Sequence, residues 1–188
     1  MHGLQERILT PDIALPATAK KLYKELKNAL LRASEEELIR SPQADIARLL
    51  RLDPRGTEHL PGNVIIGGTL DTDFKRIAPV TDLFQRHDGA LFRFSIIVAE
   101  RGRSKPLDLI GYVFELRFPD DVVQDARTPR FIRFDLNVPD HNNESKGLRC
   151  HLHPGHDDLQ VPSALMTPGE LLELFIRSVA LPERPRAV

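Results

Sequence analysis

His151 and His153 stand two residues apart in LRCHLH, and Arg133 and Asp135 stand two apart in FIRFDL. Alternate residues of a strand point to the same face. If both segments are strands, neighbouring faces gather two imidazoles, a guanidinium and a carboxylate. Three chemistries suit that set. In metal-free RNA cleavage, a histidine titrating near neutrality takes the proton of a 2′-hydroxyl. A second acid protonates the leaving oxygen, and arginines hold the phosphate bidentately. In a metal site, the H-x-H pair offers two imidazoles on one side and Asp135 adds a carboxylate. H-x-H alone is a weak signal and the nearby arginines repel a cation, so this chemistry ranks below the first. The third is binding of a phosphate, a nucleotide or an acidic partner segment without turnover.

The flanking segments follow the same alternation. ALFRFSIIVAE (90–100) and LDLIGYVFELRF (107–118) alternate at period two around the turn composition RGRSKP, and RFIRFDLNV (130–138) and LRCHLH (148–153) continue it. Phe92, Phe94, Ile96, Tyr112, Phe114, Ile132, Phe134, Leu148 and Cys150 fall on the apolar side. Arg93, Ser95, Glu115, Arg117, Arg133, Asp135, Arg149, His151 and His153 fall on the other. An antiparallel sheet commonly keeps one wet, polar face, which is the plain reading of this pattern. Solvated faces usually carry lysine, glutamate, serine and threonine, whereas this one has arginines and histidines and no lysine. That bias sets a functional floor level with the plain reading. His151, His153 and Asp135 are the candidate catalytic groups. Arg133, Arg149, Arg117 and Arg93 are the candidate substrate contacts. The connection PDHNNESKG (139–147) adds His141 and Asn143, because loops often lie over the site they flank. His156, Asp157 and Asp158 are candidates for its rim.

The elements that must position these groups read as α+β. Residues 1–15 form an arm. Pro16 opens a helix to about Arg32, with Leu22, Leu26, Ala29 and Leu30 at helical spacing. Ser34 and Glu37 form a capping-box pattern for a short helix, Glu35 to Ile39. PQADIARLLRL makes a third, stopped by Pro54 and Gly56. VIIG starts the strands, PDDVVQDARTP (119–129) is a loop, and TPGELLELFIRSVA is a helix capped by Thr167. The expected order is N-terminal helices, an antiparallel meander of four to six strands and a C-terminal helix. Residues 1–60 supply the arm and helical layer, 61–180 the sheet and last helix, together one domain, and 181–188 a tail.

Bulk composition narrows the partners. The 188 residues hold 26 Lys and Arg against 27 Asp and Glu, a net charge of −1. Nucleic-acid binding therefore needs a local patch rather than a global field. The single cysteine, Cys150, excludes an internal disulfide and fits a reducing compartment. No window approaches the roughly 20 apolar residues of a membrane span. A soluble cytoplasmic protein without a cofactor is expected. QADIARLLRLDPRGTEHL (43–60) fails as a helix-turn-helix, because Gly56 and Pro61-Gly62 interrupt the recognition helix. IIGGTLDTD lacks phosphate-loop spacing, and Ser163, Ser178 and Cys150 have no nucleophile context.

R-F-D at 133–135, H-L-H at 151–153 and the amphipathic L-L-E-L-F at 171–175 resemble the TumE-type toxins of bacterial toxin–antitoxin modules, over about residues 90 to 176. The resemblance implies a small antiparallel sheet with a C-terminal helix, action on RNA or translation, and an antitoxin partner. Arg133, Asp135, His151 and His153 are the positions it carries over. The chain departs from that pattern by about 60 extra N-terminal residues, a longer connection at 119–129 and PGHDDLQVP after the H-x-H. The extra helices and the balanced charge also suit a non-enzymatic subunit of a larger defence or regulatory complex.

Overall fold

Helix α1 (Ala19–Glu35) begins one turn later than Pro16 suggests, because Thr18 caps it: the Thr18 hydroxyl accepts from the Lys21 N–H at 3.2 Å. Its apolar stripe, Leu22, Leu26, Leu30 and Ala33, is buried. The computed structural model describes residues 13–54, 56–57, 60–68, 80–102, 104–118 and 129–179. Most of the expected arm, most of the 119–129 loop, the segment after IIGG and the C-terminal tail lie outside them. Ile13 and Leu15, at the end of the expected arm, pack on the core.

The capping box at Ser34 does not open a helix. α1 runs through Ser34, whose hydroxyl instead donates to the Ser41 carbonyl, and Glu37 takes a left-handed φ of 57°. Helix α2 (Gln43–Leu49) is shorter than PQADIARLLRL suggests. Arg51–Asp53 turns to strand β1, because pairing with the sheet edge outweighs local helix propensity. Strands β2 (Gly56–Thr57) and β3 (Leu60–Pro61) form a separate two-stranded ribbon. The remaining strands are β4 (Val64–Gly67), β5 (Phe84–Gln85), β6 (Leu91–Ala99), β7 (Asp108–Arg117), β8 (Phe131–Leu136), β9 (Cys150–Pro154) and β10 (Val161–Pro162). The main sheet is antiparallel in the order β1-β4-β6-β7-β8-β9-β10, with β5 also on β6. It exceeds the expected four to six strands because β1, β5 and β10 are too short for alternation to reveal.

One face of this sheet is the core. Phe92, Phe94, Ile96, Tyr112, Phe114, Leu116 and Cys150 pack there against Leu22, Leu26 and Leu30 of α1, Ile46 and Leu49 of α2, and the C-terminal helix. That helix, α3 (Pro168–Glu173), has the expected cap: the Thr167 hydroxyl accepts from the Glu170 N–H at 3.1 Å, and the Glu170 carboxylate accepts from the Thr167 N–H at 2.7 Å. A π-helical turn (Leu174–Ser178) follows, and the Arg86 guanidinium donates to the carbonyls of Phe175, at 2.6 Å, and Val179. Thr167→Ala is expected to cost about 1 kcal/mol of unfolding free energy, measured by urea denaturation, and Thr167→Ser to restore most of it. No described helix is long and apolar enough to cross a membrane.

Candidate functional site

The register of the sheet decides which polar residues meet. Arg93 pairs with Glu115, Glu115 with Arg133, and Arg133 with His153, so these four lie in one row across β6 to β9. Ser95, Val113, Asp135 and His151 form the adjacent row. A slip of one residue in either hairpin would send half of this set into the core. The apolar residues between them fix the register, and thereby the site.

Much of this face is buried. Arg93, Glu115, His151 and His153 are each 1 or 2% exposed and Asp135 is 8% exposed. Part of the cover comes from the two connections beside β9. Asn143 of the 139–147 segment donates to Gln160 at 3.3 Å, and the Arg133 guanidinium donates to Asp157 at 2.6 Å. Gly155 turns the chain over at φ 89°; a Cβ there would stand 2.7 Å from Cβ of Pro129. Beneath the cover remains a cavity of about 670 Å³, lined by Arg117, Phe131, Arg133, Asp135, His151 and His153 among others.

At its floor three side chains converge. Nε2 of His151 and Nε2 of His153 are 3.0 Å apart, and Oδ2 of Asp135 lies 3.6 Å from the first and 3.2 Å from the second. The same Oδ2 accepts from Nε of Arg133 at 3.1 Å. Nδ1 of His153 lies 3.4 Å from the His156 carbonyl. A carbonyl only accepts, so in the neutral ring this nitrogen carries the hydrogen and Nε2 keeps its lone pair. Nδ1 of His151 and Oδ1 of Asp135 are buried without a hydrogen-bond partner. Burial holds the His151 ring below its ordinary pKa; Asp135 opposes this and His153 adds to it. The Leu148 backbone lies near enough to favour the charged ring slightly, but makes no bond of good geometry to Nδ1.

The arginines are engaged rather than loose. Glu115 accepts from Nε of Arg93 at 3.3 Å and from Nε of Arg117 at 2.5 Å, and lies 3.8 Å from Arg133. Burial works against the charge of Arg133, yet Asp135 and Asp157 outweigh it and hold its pKa above the ordinary value. The Arg133 guanidinium carbon lies 5.8 Å from the centre of the Phe131 ring, close enough for a cation–π contact.

Of the sequence candidates, Asp135, His151, His153, Arg133, Arg117, His141 and Asn143 line the cavity. Arg93 does not; it is buried behind Glu115, too enclosed to meet a substrate. Arg149 precedes β9, donates to the Asn137 carbonyl at 3.3 Å and stays outside the lining. His141 accepts the Asn143 N–H on Nδ1 at 3.3 Å, so its Nε2 carries the hydrogen when the ring is neutral. Cys150 faces the core as expected, and burial raises its thiol pKa. Val113, Glu115, Asn137, Gln160 and Phe131 also line the wall without having been singled out as site residues, and the rim candidate Asp157 proves to be Arg133's ion-pair partner. Asn137 continues the alternation of Arg133 and Asp135, a signal that could have found it. No protein-family model matches the chain, and comparisons with curated proteins and with solved structures return no match.

Proposed function

We propose that this chain cleaves RNA at the β7–β9 cavity, as a toxin-like or defence-associated enzyme of the cytoplasm. The observation that carries the reading is the convergence of Asp135, His151 and His153 within 3.0 to 3.6 Å on the floor of a cavity walled by Arg117 and Arg133. Phosphodiester cleavage needs a proton acceptor beside the nucleophile and cations beside the non-bridging oxygens. Both are supplied here on rigid strands. The 2′-hydroxyl oxygen attacks phosphorus and its proton passes to the triangle. The bond to the 5′ oxygen breaks, and that oxygen takes up a proton. The products are a 2′,3′-cyclic phosphate and a 5′-hydroxyl.

A second cleft of about 310 Å³ adjoins the first and shares Val113, Asn137 and His141 with it. Ile65, Ile97 and Val138 make it apolar, which suits a nucleobase beside a bound phosphate. Phe131 offers an aromatic ring at the other side. The likeness of the R-F-D and H-x-H strands to TumE-type toxins supports RNA as the polymer and an antitoxin as the partner. Induced expression is expected to arrest growth and fragment total RNA, and His151→Ala combined with His153→Ala to relieve both. Arrest that persists in the folded double variant sinks the assignment. Growth without arrest, with a protein that co-purifies from the native operon context, favours the binding-subunit reading instead.

A further inference from the structure

We propose that Asp135, His151 and His153 bind one divalent first-row transition ion of the zinc class. Donors about 2.0–2.1 Å from one ion stand about 2.8–3.0 Å from one another at right angles and about 3.3–3.4 Å at tetrahedral angles. The three atoms here stand 3.0, 3.2 and 3.6 Å apart. Two sides of the triangle fall within that span, and the third, from His151 to Asp135, exceeds it by about 0.2 Å, a shift that a small side-chain rotation closes.

The proton inventory points the same way. Two Nε2 atoms at 3.0 Å cannot both carry hydrogens, and the His156 carbonyl favours the His153 tautomer that leaves its Nε2 lone pair toward the triangle. Metal-bound histidines almost always donate their other N–H to a carbonyl, a carboxylate or water; His153 meets this through the His156 carbonyl, whereas His151 Nδ1 has no such partner. Asp135, 8% exposed, keeps Oδ1 without any donor. A buried carboxylate oxygen without a partner is costly, and a cation in the triangle would stabilise that carboxylate. The sequence-level objection was that arginine repels a cation. In the fold, Glu115 pairs with both Arg93 and Arg117, while Asp135 and Asp157 flank Arg133. Counting those side chains, three guanidiniums face three carboxylates, so the site carries no net positive charge against an incoming ion.

Two imidazoles and a carboxylate select zinc, cobalt, nickel or manganese over magnesium and calcium, which prefer all-oxygen sets. Three protein ligands leave a position open for water or substrate, the arrangement of a reacting rather than a structural ion. The site stands on geometry alone; its use in RNA cleavage rests on the reading above. There the ion would lower the pKa of a bound water, and that hydroxide, in place of the side chains of the triangle, would take the 2′-hydroxyl proton.

The test uses the full chain, stripped with chelator and titrated calorimetrically with zinc chloride and with cobalt chloride. One ion per chain is expected, with a cobalt visible spectrum of mixed nitrogen and oxygen ligation. His153→Gln and Asp135→Asn, each confirmed folded by circular dichroism, are expected to weaken zinc binding by more than about 100-fold, beyond the 10- to 100-fold typical of residues that only orient ligands. Absence of saturable binding by zinc, cobalt, nickel and manganese to the folded wild type overturns the proposal. So does binding that both substitutions leave unchanged. RNA cleavage is scored separately. Stoichiometric zinc without cleavage upholds the site and removes RNA as substrate, whereas cleavage indifferent to chelation removes the ion and keeps the RNA reading.

Discussion

Glu115→Ala is expected to destabilise the fold by about 3–5 kcal/mol, the loss typical when one member of a buried ion pair is removed. Glu115 and Arg93 each expose only 2% of their side chains, and Glu115 also accepts from Arg117 and lies beside Arg133. A surface pair would contribute little, since solvent screens it and side-chain entropy offsets it. This pair has no such solvent. Without the carboxylate, the Arg93 guanidinium stays inside the sheet face without its cross-strand counter-charge, and that desolvation dominates the loss. Glu115→Gln keeps the volume and an acceptor but removes the charge, so an intermediate loss is expected. Urea denaturation followed by circular dichroism reads both. If Glu115→Ala proves within about 0.5 kcal/mol of wild type, the level of an ordinary surface substitution, the buried row is not the structural hub described.

That result bears on what the sequence could reveal. The strict alternation of Phe92, Phe94 and Ile96 with Arg93 and Ser95, and of Ile132 and Phe134 with Arg133 and Asp135, made the two faces legible. The faces restricted the cross-strand register to one parity, because only one parity buries the phenylalanines, and the fold supplied the register itself. The α3 cap was legible because Thr167, Pro168 and Glu170 occupy local positions with local bonds. The sequence pointed to the 139–147 connection and to Asp157 beside the site, but could not display how far they cover it. A strand pattern separates apolar from polar faces, but not a solvated polar face from one roofed by connections far along the chain. Asp157 and Gln160 reach the site only through the turn at Gly155. The same blindness applied to charge. Arginines counted along a sequence suggest a cationic patch, whereas the fold places a carboxylate against each of Arg93, Arg117 and Arg133. β1 was missed for a related reason. Three residues after a helix carry too little periodicity, and their strand conformation comes from β4.

Arg133 is where structure and chemistry meet, and under the proposed RNA cleavage its replacement carries a large expected effect on activity. Its Nε donates to Oδ2 of Asp135 at 3.1 Å and its Nη1 to Asp157 at 2.6 Å, while its side chain remains 16% exposed at the cavity wall. The Asp157 side chain is 71% exposed, so that partner can give way to a phosphate at little cost. The Asp135 contact holds the guanidinium plane in place meanwhile. Arg133→Ala is expected to lower kcat for RNA cleavage by about 10²–10³, the loss seen when one donor to a developing oxyanion is removed. Arg133→Lys restores charge without the planar fork. It is expected to recover KM more than kcat, because attraction of the polyanion needs only charge whereas bidentate alignment needs the guanidinium. Steady-state cleavage of a short fluorescent RNA, with melting temperatures taken in parallel, separates the roles. A purely structural Arg133 would lower the melting temperature and scale activity with the folded fraction, leaving KM and kcat of the folded enzyme as in wild type. A kcat loss at unchanged melting temperature, only partly relieved by lysine, places the phosphate against this side chain. The reacting atoms then lie over the Asp135–His151–His153 triangle.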